Sequence, residues 1–226
     1  MAEKDTFYKI IKWGLIIGIV GGLFLLIIGS IIIRDLAFIK KCPTKFIFET
    51  FLFGFLTAIP IIYIGKTRNA DTAQSIEEFF ILFFKVVSLH TTLQLSGIYS
   101  QIYCKSRSDH NFSMASITPY TLNPFFPVVK WGIIAMVILG LSILFIGSLA
   151  VRDIDFIKEQ PGIFTSETLI LAFFAAIPLF LIGRNRHAES RENFTHFLIM
   201  FAKIAIVHIG FQLSGVYSIL YPDALA

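Results

Sequence analysis

Residues 90–100, HTTLQLSGIYS, return as HIGFQLSGVYS at 208–218. Both stretches keep a His, a Gln, the run Leu-Ser-Gly and a Tyr-Ser pair in one register, and sliding the chain by 118 residues extends the match to 12–103 against 130–221 without a gap. Roughly two-fifths of those positions are identical. Lys12-Trp13-Gly14 matches Lys130-Trp131-Gly132, Arg34-Asp35 with Phe38-Ile39-Lys40 matches Arg152-Asp153 with Phe156-Ile157-Lys158, and Glu49-Thr50 matches Glu167-Thr168. Ala58-Ile59-Pro60, Gly65 and Lys85 recur as Ala176-Ile177-Pro178, Gly183 and Lys203. The halves are two surviving copies of one ancestor, so the residues they share are those that both copies kept.

Composition says where such a chain lives. Of its 226 residues 56% are hydrophobic and only 15% charged, and the mean hydropathy is +0.77, whereas a soluble domain carries about a quarter charged residues. A water-soluble globule is excluded, and so are disorder and a disulfide scaffold, with Cys only at 42 and 104. The net charge of +4 is spread without a dense basic cluster, so no nucleic acid partner is expected.

Six apolar stretches are long enough for a hydrocarbon core of about 30 Å, which takes about 20 helical residues: 13–33, 46–64, 79–103, 131–151, 164–182 and 197–221. They are uniformly apolar and not alternating, which favours helices over a barrel. The first is too long for a signal-peptide core, so the N-terminus is expected to stay on the mature protein. The chain divides into an N-terminal tail 1–11, a first repeat 12–103, a linker 104–129, a second repeat 130–221 and a C-terminal tail 222–226. Three spans per repeat and a linker unable to cross start the second repeat on the opposite side. The expected fold is an all-α polytopic membrane protein of six transmembrane helices in two inverted three-helix repeats, an arrangement met in transporters whose sites lie at the repeat interface.

Lys and Arg are more numerous in the loops on the side opposite the N-terminus. The positive-inside rule makes that side cytoplasmic and puts both termini outside, in a plasma or inner membrane. Cys42 and Cys104 would then stay reduced. Asn111-Phe112-Ser113 and Asn193-Phe194-Thr195 match the glycosylation pattern on the same side and read as accidental.

An ionisable group near the bilayer centre costs at least about 2.5 kcal/mol, so its retention in both copies needs a reason. On a helical wheel of the third span His90, Gln94, Gly97 and Gln101 share one stripe, while Lys85, Thr92, Ser96, Tyr99 and Tyr103 share the opposite one. Repeat two keeps His208, Gln212 and Gly215 on the first and Lys203, Ser214, Tyr217 and Tyr221 on the second. A helix polar on both sides does not face lipid, so the third and sixth spans are expected as the central pair. His90 and His208 are expected near the middle of their helices, converging with Gln94 and Gln212 at the pseudo-twofold axis, with Lys85 and Lys203 toward opposite faces. Gly97 and Gly215 are expected to permit close helix approach, and Gly14, Gly22, Gly132 and Gly140 to form packing faces.

Glu49 and Glu167 are expected to cap the starts of the second and fifth spans, or else to partner Lys85 and Lys203. Pro60 and Pro178 are expected to end those spans early, and Arg34-Asp35 and Arg152-Asp153 to anchor the interface.

Three functions compete. A transporter or channel would use Lys85, His90, Gln94, Tyr99, Lys203, His208, Gln212 and Tyr217 to bind an ion or polar solute at a midplane site, the imidazoles exchanging protons. A non-catalytic scaffold subunit of a larger secretion or respiratory complex would use His and Gln as polar glue. A haem b protein would use His90 and His208 as axial ligands, the one cofactor weighed. No Walker loop, dinucleotide fingerprint, zincin helix or nucleophile elbow is present, so no enzyme is expected. Partners are the lipid bilayer and, through the glycine faces, a second copy of the chain or neighbouring membrane subunits.

Overall fold

The protein is described here from a computed structural model covering residues 2–68, 76–99, 102, 123–186 and 194–221. These residues are almost entirely helical: α1 (Ala2–Ile32), α2 (Ala37–Lys41), α3 (Pro43–Thr67), α4 (Ile76–Leu95), α5 (Phe126–Ala150), α6 (Asp155–Glu159), α7 (Pro161–Arg186), α8 (Phe194–Leu213) and α9 (Val216–Leu220). Segments within α1, α3, α5, α7 and α8 are long and apolar enough to cross a membrane. α4, which carries Glu77, Glu78 and Lys85, is not among them.

The surface is inverted relative to a soluble protein. Trp13, Phe24, Phe51, Trp131, Phe145 and Ile206 are exposed, while Asp35, Glu49, Arg68, His90, Gln94, Glu167, His208 and Gln212 are buried. Apolar atoms outside and hydrogen-bonded polar atoms inside is the arrangement that lipid as solvent favours.

The breaks between helices have local causes. Arg34 and Arg152 take positive φ, 48° and 50°, and turn the chain at the ends of α1 and α5. Pro43 and Pro161 then open α3 and α7, positions where a missing N–H is harmless. Gly97 and Gly215 also take positive φ, 75° and 74°, immediately after α4 and α8. Only glycine adopts that conformation without strain, so these two residues are turns, and a Cβ there would also press on Phe126 at Gly97 and on Tyr8 at Gly215. The third and sixth helices stop at Leu95 and Leu213, short of the expected 103 and 221. Conversely Pro60 and Pro178 end nothing: both are buried inside helices that run on to Thr67 and Arg186.

α1 packs on α5 and α3 on α7, each pair antiparallel. Cβ atoms built on Gly14 and Gly132 would meet Ile143 and Leu25, and Tyr63 Oη lies 2.9 Å from Ser166 Oγ. α4 packs between α1 and α3, and α8 between α5 and α7, so the six long helices form a closed ring of neighbours. The third and sixth helices are therefore not the central pair; the two halves meet through α1·α5 and α3·α7. The wheel failed because the stripe bearing Lys85 and Lys203 needs no protein partner: both lysines are exposed. Among the proposed packing glycines, Gly14, Gly22 and Gly132 lie in the α1·α5 seam, but a Cβ on Gly140 would meet nothing within 4 Å.

Candidate functional site

The helix breaks decide where the polar residues sit. α8 ends at Leu213, so Gln212 lies in its last turn and His208 just over a turn before it, while Lys203 stands near the middle. The sequence places them the other way round because it carries the sixth span on to 221. The chain after Gly215 folds back, and Tyr217, assigned by the wheel to the stripe opposite His208, lands on it: Oη lies 2.6 Å from Nδ1. The same holds 118 residues earlier, where Tyr99 Oη lies 2.8 Å from His90 Nδ1.

Around His208 a buried cluster is built from both halves of the chain. Arg68, at the C-terminal end of α3, is 2% exposed, and Glu167, in the second turn of α7, is fully buried. Nη2 of Arg68 donates to Glu167 Oε2 at 2.6 Å, Nε to Oε1 at 3.2 Å, and Nη1 to Gln212 Oε1 at 2.6 Å. Thr67 Oγ1 donates to Glu167 Oε1 as well. The guanidinium is sandwiched between the rings of Phe156, 3.7 Å from its centroid, and Tyr217, 4.4 Å away. This is a bidentate carboxylate pair combined with cation–π stacking, the geometry that a planar guanidinium suits and an ammonium does not.

Gln212 is oriented unambiguously, because Arg68 has only donors to offer. Its amide nitrogen therefore donates to the Asp153 carbonyl at 3.3 Å, and the Asp153 N–H caps the Leu213 carbonyl at 3.0 Å. Ser218 Oγ in turn donates to Asp153 Oδ2. The loop after α5 thus closes the end of α8.

Burial raises the pKa of Tyr217 well above the ordinary phenol value, with Glu167 adding to the rise and Arg68 opposing it. With the phenol protonated and the Glu167 carboxylate on the Nε2 side, the arrangement fits Tyr217 O–H donating to Nδ1 and the neutral ring's hydrogen on Nε2. That nitrogen is buried without a hydrogen bond, and Glu167 Oε2 lies 3.8 Å from it. The ring stacks on Phe164 at 5.3 Å. Glu167 is therefore a carboxylate claimed by Arg68, with a second proton carrier just beyond hydrogen-bond reach.

In the first half, Glu49, His90 and Gln94 are buried at the equivalent places. Gln94 Nε2 donates to the Asp35 carbonyl at 3.2 Å, the Asp35 N–H donates to Leu95 O at 2.9 Å, and His90 packs on Phe46 and Phe53 at 5.6 and 5.2 Å. Glu49 and Glu167 each lie six residues inside their helices and so cap neither. Nor does either meet Lys85 or Lys203, which are exposed.

The histidines do not converge. His90 rests on Phe46 and Phe53, whereas His208 belongs to the cluster held by Arg68. From Phe53 to Arg68 α3 rises about 22 Å at 1.5 Å per residue. One haem iron needs both imidazoles on its two faces, so a shared haem between His90 and His208 does not fit. The single midplane site resolves into two clusters toward opposite ends of α3.

Arg68 was missed, although the offset signals it: Arg186 stands 118 residues on. Its place after an apolar run makes it read as a loop charge, and it entered the positive-inside comparison as one. Thr67 and Phe156 were missed as site residues as well. Cys42 carries a free thiol ahead of α3. Cys104, Asn111, Asn193, Gln101, Tyr103 and most of the linker lie outside the described residues. Among those described, no group of three His, Cys, Asp or Glu side chains could hold a metal ion. Comparison with known protein families, characterised proteins and solved structures finds no match.

Proposed function

We propose that this chain is a small integral-membrane transporter of the plasma or inner membrane, with six spans in two inverted three-helix repeats, gated at the cluster of Arg68, Glu167 and His208. The observation that carries the reading is an ion pair, 2% and 0% exposed, that joins one half of the chain to the other. Desolvating two charges costs several kcal/mol each, and packed apolar residues often stabilise as well or better. Buried charge kept in a membrane protein marks an ion or proton path by default. The antiparallel packing of α1 on α5 and α3 on α7, with contacts that recur 118 residues apart, supports the inverted topology.

The chemistry follows from competition for Glu167. Arg68 holds the end of α3 against α7 and α8 only while Glu167 is ionised. A proton from the aqueous side, relayed by His208 as Nδ1 takes one up and Nε2 gives one to Glu167, or a cationic solute, neutralises the carboxylate; Arg68 cannot shed its own proton and is drawn to water, which loosens that end. Glu49, His90, Gln94 and Tyr99 supply an equivalent gate toward the other end of α3, so that one opens while the other stays shut.

The test is proton flux in proteoliposomes carrying an internal pH dye, across a panel of small polar solutes. Glu167→Gln and His208→Leu should each abolish solute-driven flux while insertion persists. Cysteines placed at Ala37 and Ile154 should label from opposite sides of the membrane; labelling from one side would refute the inverted topology. A second reading has one observation in its favour: every nitrogen of Arg68 is engaged, as suits a static scaffold subunit. Unchanged flux in Glu167→Gln together with co-purifying membrane subunits would establish that reading instead.

A further inference from the structure

Apart from the buried clusters, the chain carries a groove of about 730 Å³ between α1 and α4. Leu26 and Ile27 of α1 and Phe84 of α4 give it an apolar wall, and Lys85, Ser88 and Thr92 form a polar edge one and two turns long. Its volume is that of a small-molecule site. Among the described residues no carboxylate lies within ion-pairing distance of Lys85. Thr92 Oγ1 donates to the Ser88 carbonyl at 2.7 Å, and Ser88, three residues after Lys85, shares its helix face.

We infer that this groove binds a long-chain monocarboxylic acid, its hydrocarbon chain along the apolar wall and its carboxylate on Lys85 and Ser88. Depth selects the acid over a phospholipid. Lys85 is the tenth of twenty residues in α4, about 14 Å from either helix end, whereas a phosphate headgroup stays at the interface. A free carboxylate carries a single charge, which the Lys85 ammonium offsets at that depth. The second half offers no equivalent, since Ile206 and Gly210 stand where Ser88 and Thr92 do. The depth argument rests on α4 crossing the membrane, as the transporter reading holds.

The probe is a diazirine-bearing palmitic acid, photolabelled onto the purified full chain and mapped by peptide mass spectrometry. Labelling should concentrate on α1 and α4 along the groove, compete with unlabelled palmitic acid and resist methyl palmitate. Lys85→Met should weaken it about tenfold, the loss of one charge-assisted contact, while Lys85→Arg and Lys203→Met retain it. Leu26→Trp, which fills the groove, should remove it; Ser88→Ile, a milder change, should weaken it if the larger one fails to fold. Equal labelling of Lys85→Met and the unsubstituted protein, or equal competition by the methyl ester, would overturn the site. A tryptophan at Leu89 should be quenched most by lipids brominated deep in their chains. Shallow quenching would bring phospholipid headgroups within reach and overturn the free-acid assignment, leaving the Glu167 flux experiment to judge the transporter reading separately.

Discussion

Glu167→Gln keeps the shape of the side chain and removes only its charge, so it isolates what the ion pair contributes. The new amide oxygen still accepts one hydrogen bond from Arg68, but the guanidinium, 2% exposed and unable to deprotonate, loses its counter-charge. Removing one partner of a buried pair costs about 3–5 kcal/mol. For a chain of this length that lowers the midpoint of thermal unfolding by roughly 6–20 °C. Arg68→Met is milder, because the carboxylate left behind can take up a proton. Its expected cost is about 1–3 kcal/mol, that of an unsatisfied buried polar group. The double substitution Arg68→Met with Glu167→Gln leaves neither charge buried, and should therefore be more stable than Glu167→Gln alone. The assay is thermal unfolding in a mild detergent, followed through Trp13 and Trp131. If the double variant loses the sum of the two single losses, the residues are uncoupled and the argument from Arg68 to a latch is wrong.

Three further outcomes follow from the geometry. Gly97→Ala and Gly215→Ala should each cost about 1–2 kcal/mol for left-handed backbone, and Gly215→Ala more, because its Cβ would run into the Tyr8 ring; denaturation of both variants, with and without Tyr8→Ala, checks this. Tyr217→Phe removes the donor to His208 Nδ1 and should cost about 1–3 kcal/mol. Nitrogen NMR of labelled histidine should show the ring losing its single tautomer; an unchanged spectrum would contradict the assigned hydrogen bond. Gly14→Ala and Gly132→Ala should destabilise, since their Cβ atoms would approach Ile143 and Leu25 to 2.6 and 2.7 Å. Gly140→Ala, opening on space, should stabilise by up to about 1 kcal/mol through helix propensity, as relative melting temperatures would report.

The shared residues were legible because the 118-residue offset supplies an internal comparison. His90, Gln94, Tyr99 and Glu49, with their counterparts at 208, 212, 217 and 167, are all buried or engaged as their retention implies. Their grouping was not legible, because apolarity continues unbroken past Gly97 and Gly215 and periodicity takes no notice of one left-handed residue. Carried through that turn, the wheel put Tyr99 opposite His90 and shifted the centre of the helix by about one and a half turns. Arg68 shows the other limit: a cation that ends an apolar run has the sequence signature of an interface anchor whether it faces water or reaches back into the bundle. Its recurrence at Arg186 marks it as kept by both halves without saying which of the two it is, since Lys85 and Lys203 recur as well and are exposed. The choice of central helices turned on Lys85 and Lys203, whose polarity implies a partner without saying whether that partner is protein.

Arg68 and Glu167 are 99 residues apart in the chain, and synthesis runs N-terminal first. At about 5–20 residues per second, the arginine exists for roughly 5–20 seconds before its carboxylate has been made. For most of that interval α1 also lacks α5, and for all of it α3 lacks a complete α7, the helices that cover them. Until then Arg68 has no Glu167 to neutralise it, and a lone charge is held where water reaches it. Only when the second half threads in can the guanidinium enter the bundle, so the ion pair records completion of biogenesis. A nascent chain stalled before residue 167 should leave position 68 open to a water-soluble reagent, and one stalled well beyond the end of α8 should not.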